Sequence, residues 1–283
     1  MTYPPMTLIR AIIAIAVLAA APAAAEPTLA PTLANVIDGA DERGSLLEIG
    51  PSLGLSSGEI ARIREVAGHV ACTDPEPVTA TGALFLTNGQ ILTAAHTFFQ
   101  ANGERRSRCF FRQQMAGSEW LPLADGSGNV RFGARAPKPG SNNDWAVVRL
   151  AAPVGGVRPF APDPTRPAAG DPLIVVSAQP VGFEHIDPNV PVVQPCSVRR
   201  APVSSAATSF YRSDCDAGQG SSGGMHLFRI GGELVFRGMT ISTGPSRDPA
   251  FLGAPYDEQG GSVTTALGTD AAILAAAREL AGQ

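Results

Sequence analysis

The chain has 283 residues, enough for one or two domains, and its 44% hydrophobic and 16% charged content is too apolar and too weakly charged for disorder. Its 31 glycines and 25 prolines suit many short strands better than long helices. The net charge of −4 provides no global basic field for nucleic acid, so a nucleic-acid partner is not expected.

Residues 1–25 carry one charge, Arg10, followed by the apolar run Ala11–Leu18 and the small residues Ala23-Ala24-Ala25. This is the pattern of a secretory signal peptide cleaved after Ala25. The run is shorter than the ~20 residues a membrane helix needs. The expected product is an exported chain, periplasmic or secreted, with no membrane span after signal removal. Residues 26–69 read as an N-terminal extension or propeptide, and 26–54 resemble a linker without sustained periodicity. A short helix follows. Ser56-Ser57-Gly58-Glu59 is a capping-box signal, Ile60, Ile63 and Ala67 share one helical face, and Gly68 is a plausible stop.

From Val78 onward the pattern is of short β-type runs. Ala80–Leu86 and Gln90–Thr93 flank Asn88-Gly89, a hairpin-turn dipeptide. Cys109–Arg112, Ala146–Leu150, Leu173–Ser177, Pro191–Val198, Met225–Ile230 and Leu234–Thr243 read as further strands, with Gly231-Gly232 as a tight turn between the last two. The segment 151–172, rich in Pro and Gly, reads as a connection between two β-domains of similar size. Thr269-Asp270 caps a closing helix over Ala271–Leu280. The four cysteines, Cys72, Cys109, Cys196 and Cys215, form no C-x-x-C pair and have no histidine at zinc spacing, so neither a metal nor another cofactor is expected. In an oxidising compartment they favour disulfides. Of three possible pairings, Cys72–Cys109 and Cys196–Cys215 each close a loop within one half of the chain.

Three segments carry chemistry when taken together: Leu92-Thr93-Ala94-Ala95-His96, Asn142-Asn143-Asp144-Trp145-Ala146-Val147-Val148, and Gly218-Gln219-Gly220-Ser221-Ser222-Gly223-Gly224. A serine hydroxyl is a weak nucleophile and needs a base. His96 offers an imidazole as that base, and Asp144 a carboxylate to orient it. Over residues 70–280 the chain resembles the chymotrypsin-fold (trypsin-like) serine proteases. Their T-A-A-H segment matches Thr93-Ala94-Ala95-His96, their D-[IV]-A-[LV]-[LV] strand matches Asp144-Trp145-Ala146-Val147-Val148, and their G-D-S-G-G loop matches Gly220-Ser221-Ser222-Gly223-Gly224. The order His, Asp, Ser is also theirs.

The resemblance implies an all-β fold of two antiparallel six-stranded β-barrels with a short C-terminal helix. The first barrel would span 70–160 and carry His96 and Asp144; the second would span 161–283 and carry Ser222. It also implies a serine endopeptidase acting on polypeptides through an acyl-enzyme, with the Gly220 and Ser222 amides as oxyanion hole. Ser221 departs from the family's Asp. An oxyanion loop that forms without an N-terminal ion pair is therefore expected, closer to bacterial secreted branches, including glutamyl-endopeptidase-like proteins. Asp216, six residues before Ser222, stands where the family's Arg/Lys-cleaving members place an acidic pocket residue. The competing reading of Asp214-Cys215-Asp216 is a strand end whose carboxylates are solvated or bonded to backbone. Ser242 and Gly244 are expected to line the substrate's backbone by β-augmentation.

Two other classes compete with this reading. An α/β-hydrolase esterase satisfies G-x-S-x-G at 220–224 but needs a late histidine, and only His226 follows Ser222. A catalytically silent protease-fold binding protein is the non-enzymatic alternative. His69, His185 and His226 lack the context of His96, and Arg105, Arg106, Arg108 and Arg112 read as a solvated loop.

Overall fold

A computed structural model describes residues 34–201, 210–244 and 252–282. The apolar leader over 1–25 and residues 26–33 lie outside the described residues. Two β-systems are present. The first contains β3 (Ala67–Asp74), β4 (Val78–Phe85), β5 (Thr87–Thr93), β6 (Ser107–Gln113), β7 (Leu121–Pro122), β8 (Val130–Phe132) and β9 (Ala146–Arg149). Its order is β7-β6-β3-β4-β5-β9-β8, and a bridge between Leu123 and Leu150 brings β7 and β9 together. The second contains β10 (Pro172–Ser177), β11 (Val192–Arg200), β12 (Phe210–Ser213), β14 (Met225–Ile230), β15 (Glu233–Thr243) and β17 (Thr264–Gly268). These six run β10-β14-β15-β17-β12-β11, and pairing of β10 with β11 closes the ring. The all-β, two-barrel expectation is met; the first system differs in having seven strands in open order.

Short elements before the first barrel join the second. Strand β1 (Ala34–Ile37) pairs antiparallel with β13 (Ala217–Gly218) and parallel with β16 (Leu252–Ala254), while β2 (Gly44–Ser45) pairs with β11. All four residues of β1 are buried, so residues 34–45 are built-in structure where the composition suggested a linker. Helix α1 (Leu46–Ile49) leads to α2 (Ser57–Val66), whose N-terminus has the capping box: Ser56 Oγ accepts the Glu59 N–H and Glu59 accepts the Ser56 N–H. Gly68 is not the helix stop. The helix ends at Val66, and Gly68 lies in β3, where a Cβ would overlap the Arg112 carbonyl oxygen and crowd the Phe111 ring. The glycine is there for close strand approach.

The Asn88-Gly89 turn is likewise displaced. The chain reverses at Leu86 (φ 62°), and Asn88 and Gly89 lie inside β5. Leu86 packs its side chain on the core, and burial there outweighs the local preference of Asn-Gly. Gly231 and Gly232, with φ of 57° and 91°, do make the two-residue turn between β14 and β15. Helix α3 (Ala271–Ala281), capped by Asp270, returns to the first barrel, where Gln90 Nε2 donates to the Ala277 carbonyl. One apolar cluster runs through both barrels, and Phe85 meets Phe236 edge-on across it at 5.3 Å.

Asp216 is not the open pocket residue that its offset from Ser222 suggests. It is 3% exposed, and its two carboxylate oxygens accept the Ile37 and Glu42 N–H groups at 2.8 and 2.9 Å. Gln194 holds its backbone on both sides. The carboxylate is thus the anchor of the N-terminal segment, as the backbone-bonded reading of Asp214-Cys215-Asp216 had it. Burial pushes its carboxyl up to about 6, against the two amide donors and with Asp41 adding to the rise.

Two outcomes are expected. Gly68→Ala should lower stability by about 2–3 kcal/mol in thermal unfolding, because backbone is what the added methyl meets. An unfolded Asp titrates near pH 4, so between about pH 4 and pH 6 the folded chain keeps a proton that the unfolded chain releases. Stability present at the low end is lost as pH rises through that window, by roughly 2–3 kcal/mol. Denaturant titrations at pH 4 and pH 7 should show this loss in wild type and a flatter dependence in Asp216→Asn. An unchanged slope in the variant would count against the assignment.

Candidate active site

The site begins with a strand register. Strands β5 and β9 pair with Thr93 opposite Ala146. That register sets His96, just past the end of β5, beside Asp144, just before β9. His96 lies in a 3-10 turn at Ala95–Phe98, and its backbone N–H donates to Asp144 Oδ1 at 2.8 Å. Its ring meets Asp144 Oδ2 through Nδ1 at 2.8 Å. Gly140 N–H donates to the same Oδ2 at 2.8 Å. Asp144 is 0% exposed, and three donors satisfy a carboxylate that would otherwise be costly to bury. A carboxylate only accepts, so Nδ1 carries the imidazole proton and Nε2 presents a lone pair. That Nε2 lies 2.9 Å from Ser222 Oγ.

Ser222 comes from the second barrel, on a loop clamped from both sides. Its carbonyl accepts the Thr81 N–H at 2.8 Å, and Gly223 N–H donates to the Thr240 carbonyl at 2.8 Å. Thr81, fully buried in β4, also donates through Oγ1 to the Gly220 carbonyl and accepts there from the Ala178 N–H, both at 2.8 Å. Nothing in the sequence singled out Thr81, since its role exists only once the two barrels meet. At Gly223 (φ 81°) a Cβ would overlap the Thr81 carbonyl oxygen, so this close approach needs glycine.

Ser221 is buried and turns back on its own loop. Its N–H donates to the Gly218 carbonyl at 3.0 Å, and its Oγ accepts the Gly218 N–H at 3.2 Å. The loop is held by neutral local bonds at the position where the family motif has Asp. The Gln219 carbonyl accepts the Val181 N–H at 2.9 Å. In a trans peptide the Gly220 N–H then points the opposite way. Among the described residues neither the Gly220 nor the Ser222 amide has an intramolecular acceptor.

Ser242 and Gly244 follow Thr240, the residue whose backbone clamps the nucleophile loop. Thr240 bonds to Gly223 and Gly224, and two residues on the strand leaves the nucleophile loop while its other edge stays paired: Ser242 with Thr265, and Gly244 N–H to the Val263 carbonyl. Ser242 lies beside Gly140, where a Cβ would come within 3.0 Å of its Oγ. A cavity of about 740 Å³ opens on the other side of His96, lined by Val78, Phe99, Ala136 and Pro137 with Arg106 and Lys138.

The remaining sequence candidates lie elsewhere. Disulfides join Cys72 to Cys109, directly opposite across β3 and β6, and Cys196 to Cys215. Asp214 lies close to the second pair, but sulfurs bonded to each other are not thiolate ligands. His226 is fully buried between Tyr211 OH (2.7 Å) and Thr240 Oγ1 (2.8 Å), and burial pushes its pKa down to about 3. Neutral and enclosed, it is a structural residue. His69 bonds the Pro188 carbonyl at 3.0 Å, and burial lowers its pKa as well. Among the described residues no helix is long and apolar enough to cross a membrane.

Comparison with known proteins agrees with this geometry. A trypsin-like peptidase domain is matched over residues 80–235, more than half of the chain. No curated protein matches. Among solved structures, a Glu endopeptidase in complex with MPD is similar at a TM-score of 0.63 and 15% identity, covering 88% of this chain and 100% of that one. The thermostable serine protease AL20 from an extremophilic microorganism is similar at 0.56 and 13%, over 79% and 100%. A scabies mite inactivated protease paralogue is similar at 0.54 and 14%, over 78% and 96%. The chain belongs to the trypsin-like peptidase domain family and is a serine endopeptidase of the chymotrypsin fold.

Proposed function

We propose that the chain is exported and hydrolyses polypeptides through His96, Asp144 and Ser222 by way of an acyl-enzyme. The observation that carries the reading is the unbroken run of hydrogen bonds from Asp144 through His96 to Ser222 Oγ, 2.8 and 2.9 Å long. An inactivated relative shares the fold, so the fold alone does not argue for turnover; the bonded run does.

In the first half-reaction Ser222 Oγ attacks the peptide carbonyl carbon while His96 Nε2 takes the hydroxyl proton. Asp144 stabilises the imidazolium formed and keeps its proton on Nδ1. The carbonyl oxygen, now negative, is met by the Gly220 and Ser222 N–H groups, each such donor being worth roughly 3 kcal/mol of barrier. The C–N bond breaks as His96 returns the proton to the leaving amine, giving an ester on Ser222. Water attacks that ester with His96 again as base, and the acid leaves with Ser222 restored. The substrate's backbone pairs with the open edge of Ser242–Gly244, extending the sheet by one strand.

Residues 1–25 act as the signal peptide in this reading, 26–69 as the N-terminal extension, and 70–160 and 161–283 as the barrels contributing His96 with Asp144 and Ser222 respectively. An oxidising periplasmic or extracellular setting suits both disulfides. Because Ser221 and Gly218 hold the nucleophile loop, no newly freed N-terminus is needed to form it.

The purified chain should label at one residue, Ser222, with a serine-directed fluorophosphonate and should digest unfolded protein. Ser222→Ala should do neither. Asp144→Asn should fold and lose about 10⁴-fold in kcat, since the amide favours the wrong imidazole tautomer. Equal labelling of wild type and Ser222→Ala would reject the assignment.

A further inference from the structure

A cavity of about 740 Å³ adjoins the catalytic residues, roomy enough for a whole side chain, and His96 is one of its walls. The His96 side chain is 25% exposed, and Nε2 of the same ring lies 2.9 Å from Ser222 Oγ. Another wall, residues 136–139, runs into Gly140, which lies beside Ser242 on the edge where a substrate strand pairs. A polypeptide bound at Ser222 therefore passes this opening, and a side chain within two residues of the attacked carbonyl can enter it.

The lining has a definite chemistry. Val78, Phe99, Ala136 and Pro137 give it apolar surface, and Arg106 and Lys138 add two cations. Lys138 is the only lysine in a chain of net charge −4. It is exposed and stands between Pro137, which is buried, and Pro139, so proline rings fix the backbone φ on both sides of it. Its backbone is thus held, while its ammonium has no ion pair or hydrogen bond among the described residues. Arg106 Nη1 donates to the Glu76 carbonyl at 2.6 Å, which steadies the guanidinium without neutralising it, and its Nε is buried with no partner among the described residues. Acids are scarce around both. Residues 130–143 contain none, and the one acid of 97–107, Glu104, accepts from the Asn102 and Gln100 side chains of its own loop at 2.9 and 3.4 Å. Two unmatched positive charges beside apolar surface complement a side chain with an aliphatic stem and an anionic tip.

We propose that this cavity selects substrates by charge, taking an acidic side chain, Asp or Glu, that lies within two residues of the cleaved bond and is drawn by Lys138 and Arg106. This rests on the endopeptidase reading above and names its substrate class, acidic polypeptides. The carboxylate accepts from the Lys138 ammonium or from Arg106 donors not spent on Glu76, while its methylenes lie on the apolar lining. A glutamine keeps the stem contact and loses the charge. A lysine or arginine meets charge of its own sign. Because Lys138 is exposed, salt screens the attraction and weakens the discrimination.

The test begins with the cleavage profile of the purified wild-type chain on a denatured protein library, read beside fluorophosphonate labelling of Ser222. The expected result is labelling together with sites enriched in Asp or Glu within two residues of the cut. In peptides differing only at the enriched position, kcat/KM for Glu should exceed that for Gln by about tenfold at low salt, and the ratio should fall toward one in about 1 M salt. Lys138→Gln should lower the ratio about fivefold, and Lys138→Glu should move the preference toward Lys or Arg. Acetylating the single lysine should reproduce the Lys138→Gln ratio in the wild type and leave the ratio of Lys138→Gln itself where it was. Labelling and cleavage without acidic enrichment would overturn the proposal and leave the endopeptidase reading standing. So would a Glu-to-Gln ratio that Lys138→Gln does not change. Failure of both labelling and cleavage would instead remove the endopeptidase reading, and the charged cavity's role with it.

Discussion

The arrangement depends on one buried carboxylate. Asp144 has no water to solvate it, so every donor it needs must come from the chain, and three do: the His96 N–H, the His96 ring and the Gly140 N–H. Each of these fixes something larger. The ring bond selects the tautomer, and the backbone bond from His96 holds the turn after β5 against the start of β9. The Gly140 bond closes the loop leading into Asp144, and a side chain at residue 140 would meet Ser242 of the other barrel. Removing the side chain would therefore loosen both the orientation of the base and the local path of the chain. That coupling follows from the low dielectric around the group, where an unpaired donor or acceptor is expensive.

Ser222 arrives from the other half of the molecule, so the barrel interface must be rigid to a fraction of an ångström for its Oγ to meet Nε2. Two kinds of contact supply this. Apolar packing, such as Phe85 on Phe236, is strong but non-directional. Thr81 adds direction: its N–H, hydroxyl and carbonyl all take part in bonds that reach Ser222, Gly220, Ala178 and Thr93. Ser221 completes the loop with a bond to Gly218 in place of a long-range ion pair. A neutral bond three residues away is made as soon as the turn forms. The folded chain thus has its nucleophile loop in place without a charge delivered from elsewhere.

What could be read from the sequence was what is local. The segments around His96, Asp144 and Ser222 each carry their own geometry in a few residues, and the capping box at Ser56 and the turn at Gly231-Gly232 are also closed locally. Strands with alternating or β-branched runs were legible within a residue or two. Two of those missed have other compositions. Strand β17, Thr264–Gly268, is buried at every position and shows no alternation, and β3 is built largely from Ala, Gly, His and Cys. The Asn88-Gly89 turn failed because the hydrophobic Leu86 found a core site that fixed the reversal two residues earlier. Thr81 carries no local signal, since it acts only through partners on distant segments.

Asp216 shows how such long-range partners change the meaning of a motif position. Six residues before the nucleophile, an aspartate reads as a bait for basic side chains only if its carboxylate faces open space. Here the N-terminal segment supplies two amides to that carboxylate and a strand beside it, and burial raises its pKa toward 6. The same contacts draw Ala34–Ile37 into the sheet between β13 and β16, and the register of that pairing is what sets Asn35 against Gly244. The acidic residue thus holds the strand, and the strand in turn covers the acidic residue. Without that segment the carboxylate would lose both of its amide donors, so the N-terminal strand decides what the aspartate at this position does.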